Sequence, residues 1–203
     1  MLTRNQLKKH KGIRYIIYDF ETSGLNPYND DIIEIGAIDN YGNTFNVLLK
    51  TKKKLSNKIT ELTGITDNLL EKEGVEPIAG IKLFNDYINS GLSTKNNLYM
   101  IAHNNDAFDK LFLKFTFDKY RFKLPVLHFI DSYRMAQLIL PELNYYSLKS
   151  LSKYFNIELE QDHRALSDCV MLKQVFNVLL TVFKQKYGTK ELNTVAKKIR
   201  NPF

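Results

Sequence analysis

Residues 13–18 read IRYIIY, a run of β-branched and aromatic side chains broken only by one arginine, and it leads straight into Asp19, Phe20, Glu21 and Thr22. Such a run specifies a buried strand. Whatever fold forms must therefore bring two carboxylates out of a hydrophobic core at one strand end, just before the turn-forming residues SGLNPYND. On a regular strand, side chains at i and i+2 share a face, so Asp19 and Glu21 converge if the strand continues through Phe20. A D-x-E pair is by itself most often a solvated strand end; the apolar approach sets this one apart.

The segments 32–39 (IIEIGAID) and 43–49 flank Asn40, Tyr41 and Gly42, a tight hairpin connection, which gives an opening β-meander. The stretch 51–74, with Lys52, Lys53 and Lys54, reads as a surface loop with short helical turns. Pro77 opens a helical pattern that ends near Gly91, and LYMIAHN at 98–104 is a further buried strand. Asn105 or Asp106 is placed to cap a helix through Phe108, Leu111, Phe112 and Phe115, with Asp109 in its first turn. A strand at 126–130 leads to helices begun by Asp131 or Ser132 and by Ser147. From near Arg164 to Phe183 runs a helix apolar around most of its circumference, and residues 189–203 form a basic terminal helix with frayed ends. The whole, 1–203, reads as a single α/β domain with a mixed sheet and a core at about 13–185. Ligands of such sheets gather at strand ends, so the tips of the first and fourth strands and the start of the late helix are expected to surround one cleft.

Asp168 is the most telling of the later acids, because its helix is otherwise built from Leu, Val, Met and Phe. Burying a lone carboxylate there is costly without a cation or strong hydrogen bonds. His163, five residues earlier, lies on the approach to that helix. Asp109 has an ordinary explanation in the helix macrodipole, and Asp106 shares it; His103 and Asn104 have theirs as a strand-end histidine and a turn residue. Cys169 reads as a buried, inert thiol rather than a nucleophile. Taken together, Asp19, Glu21, Asp109 and Asp168 suit a hard divalent cation, magnesium or manganese, of the kind that phosphodiester cleavage requires.

Lys and Arg outnumber Asp and Glu by 29 to 22, for a net charge of +7. With several acids gathered at a metal, the remaining surface is more basic still, which favours a polyanionic partner. A single cysteine allows no intrachain disulfide. With no apolar segment after the basic start and no uncharged membrane span, the expected setting is intracellular: cytoplasmic, or nuclear in a eukaryote.

In these segments the chain resembles the DnaQ-like, or DEDDh, 3′–5′ exonucleases. DFETSGL is similar to the first family motif, AHNNDAFD to the second and HRALSD to the third; LTGIT at 62–66, DSYRMAQ at 131–137 and YSLKSL at 146–151 add further likeness. The second motif, with five residues between His103 and Asp109, is closest to the three-prime repair exonuclease branch. The resemblance implies a ribonuclease H-like sheet of five strands, the second antiparallel to the rest, surrounded by helices. It implies two Mg2+ ions, for which Mn2+ substitutes, held by Asp19, Glu21, Asp109 and Asp168, with His163 as general base. It places Thr22, Leu25, Ile65 and Asn104 against the terminal nucleotide, Leu25 and Ile65 as apolar wedges. The expected reaction is release of nucleoside 5′-monophosphates from single-stranded or frayed 3′ ends, DNA above RNA, without sequence preference. An exoribonuclease, a proofreading subunit beside a polymerase or other replication partner, and a silent nucleic-acid-binding module are the alternatives.

Overall fold

The computed structural model describes residues 13–90, 98–158 and 163–200. Three strands open the chain: β1 (Arg14–Thr22), β2 (Ile32–Asp39) and β3 (Thr44–Leu48). Two short helices follow, α1 (Asn57–Thr63) and α2 (Asp67–Glu73), capped at their N-termini by the Ser56 and Thr66 hydroxyls. Then come α3 (Pro77–Asn89), β4 (Leu98–Ala102), α4 (Asp109–Lys119), β5 (Leu127–Asp131), α5 (Ser132–Ile139), α6 (Leu148–Tyr154), α7 (Ala165–Tyr187) and α8 (Leu192–Arg200). The sheet order is β3-β2-β1-β4-β5, with β2 antiparallel to its neighbours and β4 and β5 parallel to β1. This is the expected five-stranded mixed sheet of the ribonuclease H-like fold.

Alternation along the strands divides the core into two layers. Ile17 of β1, Ile38 of β2, and Tyr99 and Ile101 of β4 pack with α5, α6, α7 and α8. Ile16, Tyr18 and Phe20, with Ile35, Ala37, Met100 and Ala102, pack with α3 and α4 on the other side. Asp19 and Glu21 share the parity of Ile17, and Glu34 and Gly36 share that of Ile38. All four therefore belong to the face that receives α7.

Among the described residues α7 is the one helix long and apolar enough to cross a membrane, and its face carrying Asp168, Leu172, Val175 and Phe176 is buried. It is the central helix of one core layer.

Two expectations change. The C-terminal helix is basic but begins at Leu192 rather than at 189, and Leu192, Val195, Ala196 and Ile199 bury an apolar face in the α7 layer; 201–203 lie outside the described residues. Neither Asn105 nor Asp106 caps α4, whose N-cap position is Phe108 without a side-chain hydrogen bond. The Asn105 amide is engaged elsewhere: fully buried, it accepts from the Tyr18 hydroxyl at 2.6 Å and donates to the Ile130 carbonyl at 3.0 Å, tying β1 to β5 across the sheet. Asp106 pairs with Lys110 and Arg134.

Candidate active site

β1 runs unbroken through Phe20, which puts the Asp19 and Glu21 side chains on one face. The register sets Asp19 opposite Gly36 and Glu21 opposite Glu34. At Gly36 an added Cβ would collide with the backbone of Ala165 and Leu166. The missing side chain lets the first turn of α7 lie directly on β2, and Asp168 follows within that turn. As a result Asp19, Glu21 and Asp168 each offer a carboxylate oxygen within 4.8 Å of the others. Three residues distant in sequence are thus brought to one point by strand alternation and one close backbone approach.

Asp109 does not join that group of three, but it stands near it, at the opening of α4 in the opposite layer. Burial, and next the Asp19 charge, raise its carboxyl well above the ordinary range. Its Oδ1 is buried with no hydrogen-bond partner among the described residues. Burial, then the Asp168 and Glu34 charges, raise Asp19 to about 8. Burial, then Asp19 and the other acids, raise Glu21 to about 9. Carboxylates so crowded cannot all ionise at neutral pH without positive charge among them. A set of oxygen donors only, with one oxygen left unsatisfied, fits a hard divalent cation.

His163 is half-buried and has left-handed backbone (φ 52), where the chain turns into α7. It directly precedes Arg164, the N-cap residue of α7. Cys169 is fully buried, and burial raises its thiol well above the usual value, as suits an inert core cysteine.

The substrate residues expected from the sequence fall into different surroundings. Leu25 is 84% exposed at the tip of the loop after β1, whereas Thr22 is buried, its hydroxyl donating to the Gly24 carbonyl at 2.6 Å. Asn104 is exposed and has left-handed backbone (φ 63). Ile65 is 0% exposed and packs with Ile33, Leu55 and Leu70. An enclosed side chain offers no surface to a base, so the wedge role expected of Ile65 does not hold in this conformation; Leu25 alone of that pair is presented to solvent.

The sequence points to Asp131 as a helix cap and to His103 as a strand-end histidine, but not to their further contacts around the site, and the role of Glu34 went unread. Asp131 caps α5 through the N–H groups of Tyr133 and Arg134, and also accepts the N–H groups of Asn104 and Asp106, both at 3.1 Å. It thereby shapes the loop that leads to Asp109. His103 is held between Ser132 Oγ (2.9 Å) and the Tyr146 carbonyl (2.8 Å), and burial lowers its pKa, which makes it a structural histidine. Glu34, fully buried, receives the Arg164 guanidinium, with Nη2 2.7 Å from Oε1 and Nε 3.1 Å from Oε2. The signal for Glu34 was present in the sequence: it is the one charge inside IIEIGAI, and a charge in an otherwise apolar strand requires a partner.

With this geometry the comparisons agree. A family model described as an exonuclease matches residues 16–176. The chain is 33% identical over 162 residues to a PolC-type DNA polymerase III of Bacillus subtilis, covering 76% of this chain and 10% of that protein. To the Mycoplasma genitalium protein of the same name it is 30% identical over 187 residues, covering 89% and 12%. The chain thus spans about a tenth of the length of those polymerases. Among solved structures, E. coli exonuclease I in complex with a dT13 oligonucleotide superposes with a TM-score of 0.72 at 18% identity, over 86% of this chain and 42% of that one. Exonuclease X in complex with 5′-overhanging duplex DNA gives 0.64 at 19% identity, over 91% and 99%. With acids of the first and third motifs meeting at one point, Asp109 of the second beside them, and a family model that spans residues 16–176, the chain belongs to the DnaQ-like DEDDh 3′–5′ exonuclease family.

Proposed function

We propose that this protein removes nucleotides one at a time from the 3′ end of DNA, using two Mg2+ ions held by its acidic cluster and His163 as general base. The observation that carries the reading is the meeting of Asp19, Glu21 and Asp168 within 4.8 Å, from β1 and α7. These three would hold one ion, Asp19 would be shared with a second, and the unsatisfied Oδ1 of Asp109 would serve that second ion. Bound in this way, a pair of divalent ions stabilises both the attacking and the leaving oxygen of an in-line phosphoryl displacement.

The remaining work belongs to the protein. His163 takes the proton of the attacking water, a role that imidazole side chains commonly fill in enzymes. Its position just before Arg164, at the turn into the helix that carries Asp168, supports this role. Leu25, projecting from the loop that follows Asp19 and Glu21, packs beside the last base, and Thr22 and Asn104 border the terminal nucleotide. Stacking and apolar contacts of this kind tolerate any base.

Single-stranded or frayed ends are the favoured substrate, and the similarity to PolC-type polymerases supports a polymerase as partner. The test is release of labelled mononucleotide from single-stranded DNA, duplex DNA and RNA, each labelled at the 3′ or the 5′ end. The reading requires Mg2+-dependent early release of 3′ label from single-stranded DNA. Early release of 5′ label, or no release, would overturn it.

A further inference from the structure

We propose that Glu34 and Arg164 form a latch that positions the start of α7, and with it Asp168 and the His163 backbone, for the reaction; the role assigned rests on the exonuclease reading above. Glu34 lies one strand away from the acidic cluster, directly across the ladder from Glu21. Its carboxylate makes a two-pronged contact with Arg164: Nε lies 3.1 Å from Oε2 and Nη2 lies 2.7 Å from Oε1. The same Oε2 accepts the N–H of Ala165 at 3.1 Å, the first residue of α7.

That helix has no side-chain cap of its own, because its N-cap position is occupied by Arg164. Glu34 therefore caps α7 from a neighbouring strand, placing negative charge at the positive end of the helix. Two residues along β2 on the same face, Gly36 admits the backbone of Ala165 and Leu166. Close approach and charge thus fix the helix start in two directions.

With Glu34 buried and Arg164 reaching solvent, the pair is poorly explained by stability alone, since an apolar residue in place of the buried carboxylate avoids its desolvation cost. What the guanidinium fork adds is direction, because two parallel hydrogen bonds fix orientation as well as distance. The residues whose placement depends on that direction flank the latch. His163 precedes Arg164, and Asp168 completes the first turn, its N–H bonded to the Arg164 carbonyl at 3.0 Å. Glu34 and Arg164 are positioning residues, acting through the backbone they hold.

The test uses the full chain carrying E34Q and R164Q together, which removes both charges and so leaves no buried charge unpaired. Arg164→Lys, which keeps the charge and loses the fork, serves as a second variant should the double one fail to fold. Amide hydrogen exchange over 165–169 is followed in metal-free protein, and hydrolysis of a 3′-labelled oligo-dT strand is followed against Mn2+ concentration. The latch predicts faster exchange confined to the first turn of α7, and roughly a 10- to 100-fold loss in turnover or in the Mn2+ midpoint, with substrate KM little changed. Exchange at the parent rate, or parent turnover and Mn2+ midpoint in the folded variant, would overturn it. If the parent itself releases no nucleotide, the exonuclease reading fails, while the exchange measurement still decides whether the latch exists.

Discussion

Glu21 lies directly across the β1–β2 ladder from Glu34, and the two carboxylates meet opposite circumstances. Glu34 is fully buried against Arg164, whereas Glu21, with acids as its charged neighbours, is raised to about 9. One carboxylate is neutralised by a side chain; the other is left for a cation that comes from outside. In the metal-free protein, Glu21 and Asp19, the latter raised to about 8, hold protons that the unfolded chain has released above about pH 4. The native state binds more protons in that window, so stability falls as pH rises through it. The melting temperature of metal-free protein is therefore expected to drop between pH 6 and pH 9. Mg2+ or Asp19→Asn should flatten the drop, each kcal/mol being worth about 2–4 °C in a chain of this size. A melting temperature that rises over this range, measured by calorimetry in EDTA, would contradict the raised values.

His163→Ala is expected to lower turnover by about 10²- to 10⁴-fold, the usual contribution of a general base. The Mn2+ midpoint should stay near that of the parent, because the acidic cluster is untouched. A weakened Mn2+ midpoint with full turnover at saturation would instead make His163 a ligand.

Much of this site was legible in the sequence because its signals are local. A core strand running into two acids, and a lone acid within an apolar helix, each announce themselves within ten residues. Strand parity then placed Asp19 and Glu21 on one face, and β1 continues through Phe20 as that required. The unread part is tertiary. Asn105 looks like a helix cap, but only the neighbouring strands reveal that Tyr18 and the Ile130 carbonyl take up its amide. The tail reads as basic until α8 is seen to set Leu192, Val195 and Ile199 against the core. Gly36 carries no sign of its role, since only the approach of Ala165 and Leu166 explains the need for a residue without Cβ.

Leu25 and Ile65, paired as wedges by resemblance, are separated by burial: 84% exposed against 0%. Ile65→Ala is expected to cost about 2–5 kcal/mol of stability through the cavity it leaves. Substrate KM measured on the remaining folded protein should hardly change. Leu25→Ala should leave the melting temperature in place and raise KM for single-stranded DNA. If Ile65→Ala raised KM without loss of stability, Ile65 would have to emerge from the core when substrate binds.

Asp131 carries a prediction about the second motif. Its buried carboxylate accepts the N–H groups of Asn104 and Asp106 on one side and of Tyr133 and Arg134 on the other, so a single side chain joins the end of β5 to the loop before α4. Asp131→Ala leaves those donors without their acceptor, at a cost of about 1–3 kcal/mol for the buried ones. The loop that leads to Asp109 then loses one of its anchors, Asn105 keeping its bonds to Tyr18 and the Ile130 carbonyl, while Asp19, Glu21 and Asp168 are untouched. Turnover is expected to fall more than stability accounts for, and the loss should be partly recovered at high Mn2+, since the acids themselves remain. Asp131→Asn, which keeps one carbonyl acceptor, should fall between. Comparing melting temperature, turnover and Mn2+ midpoint across the two variants checks this; a loss of stability alone, with turnover per folded molecule unchanged, would confine Asp131 to capping α5.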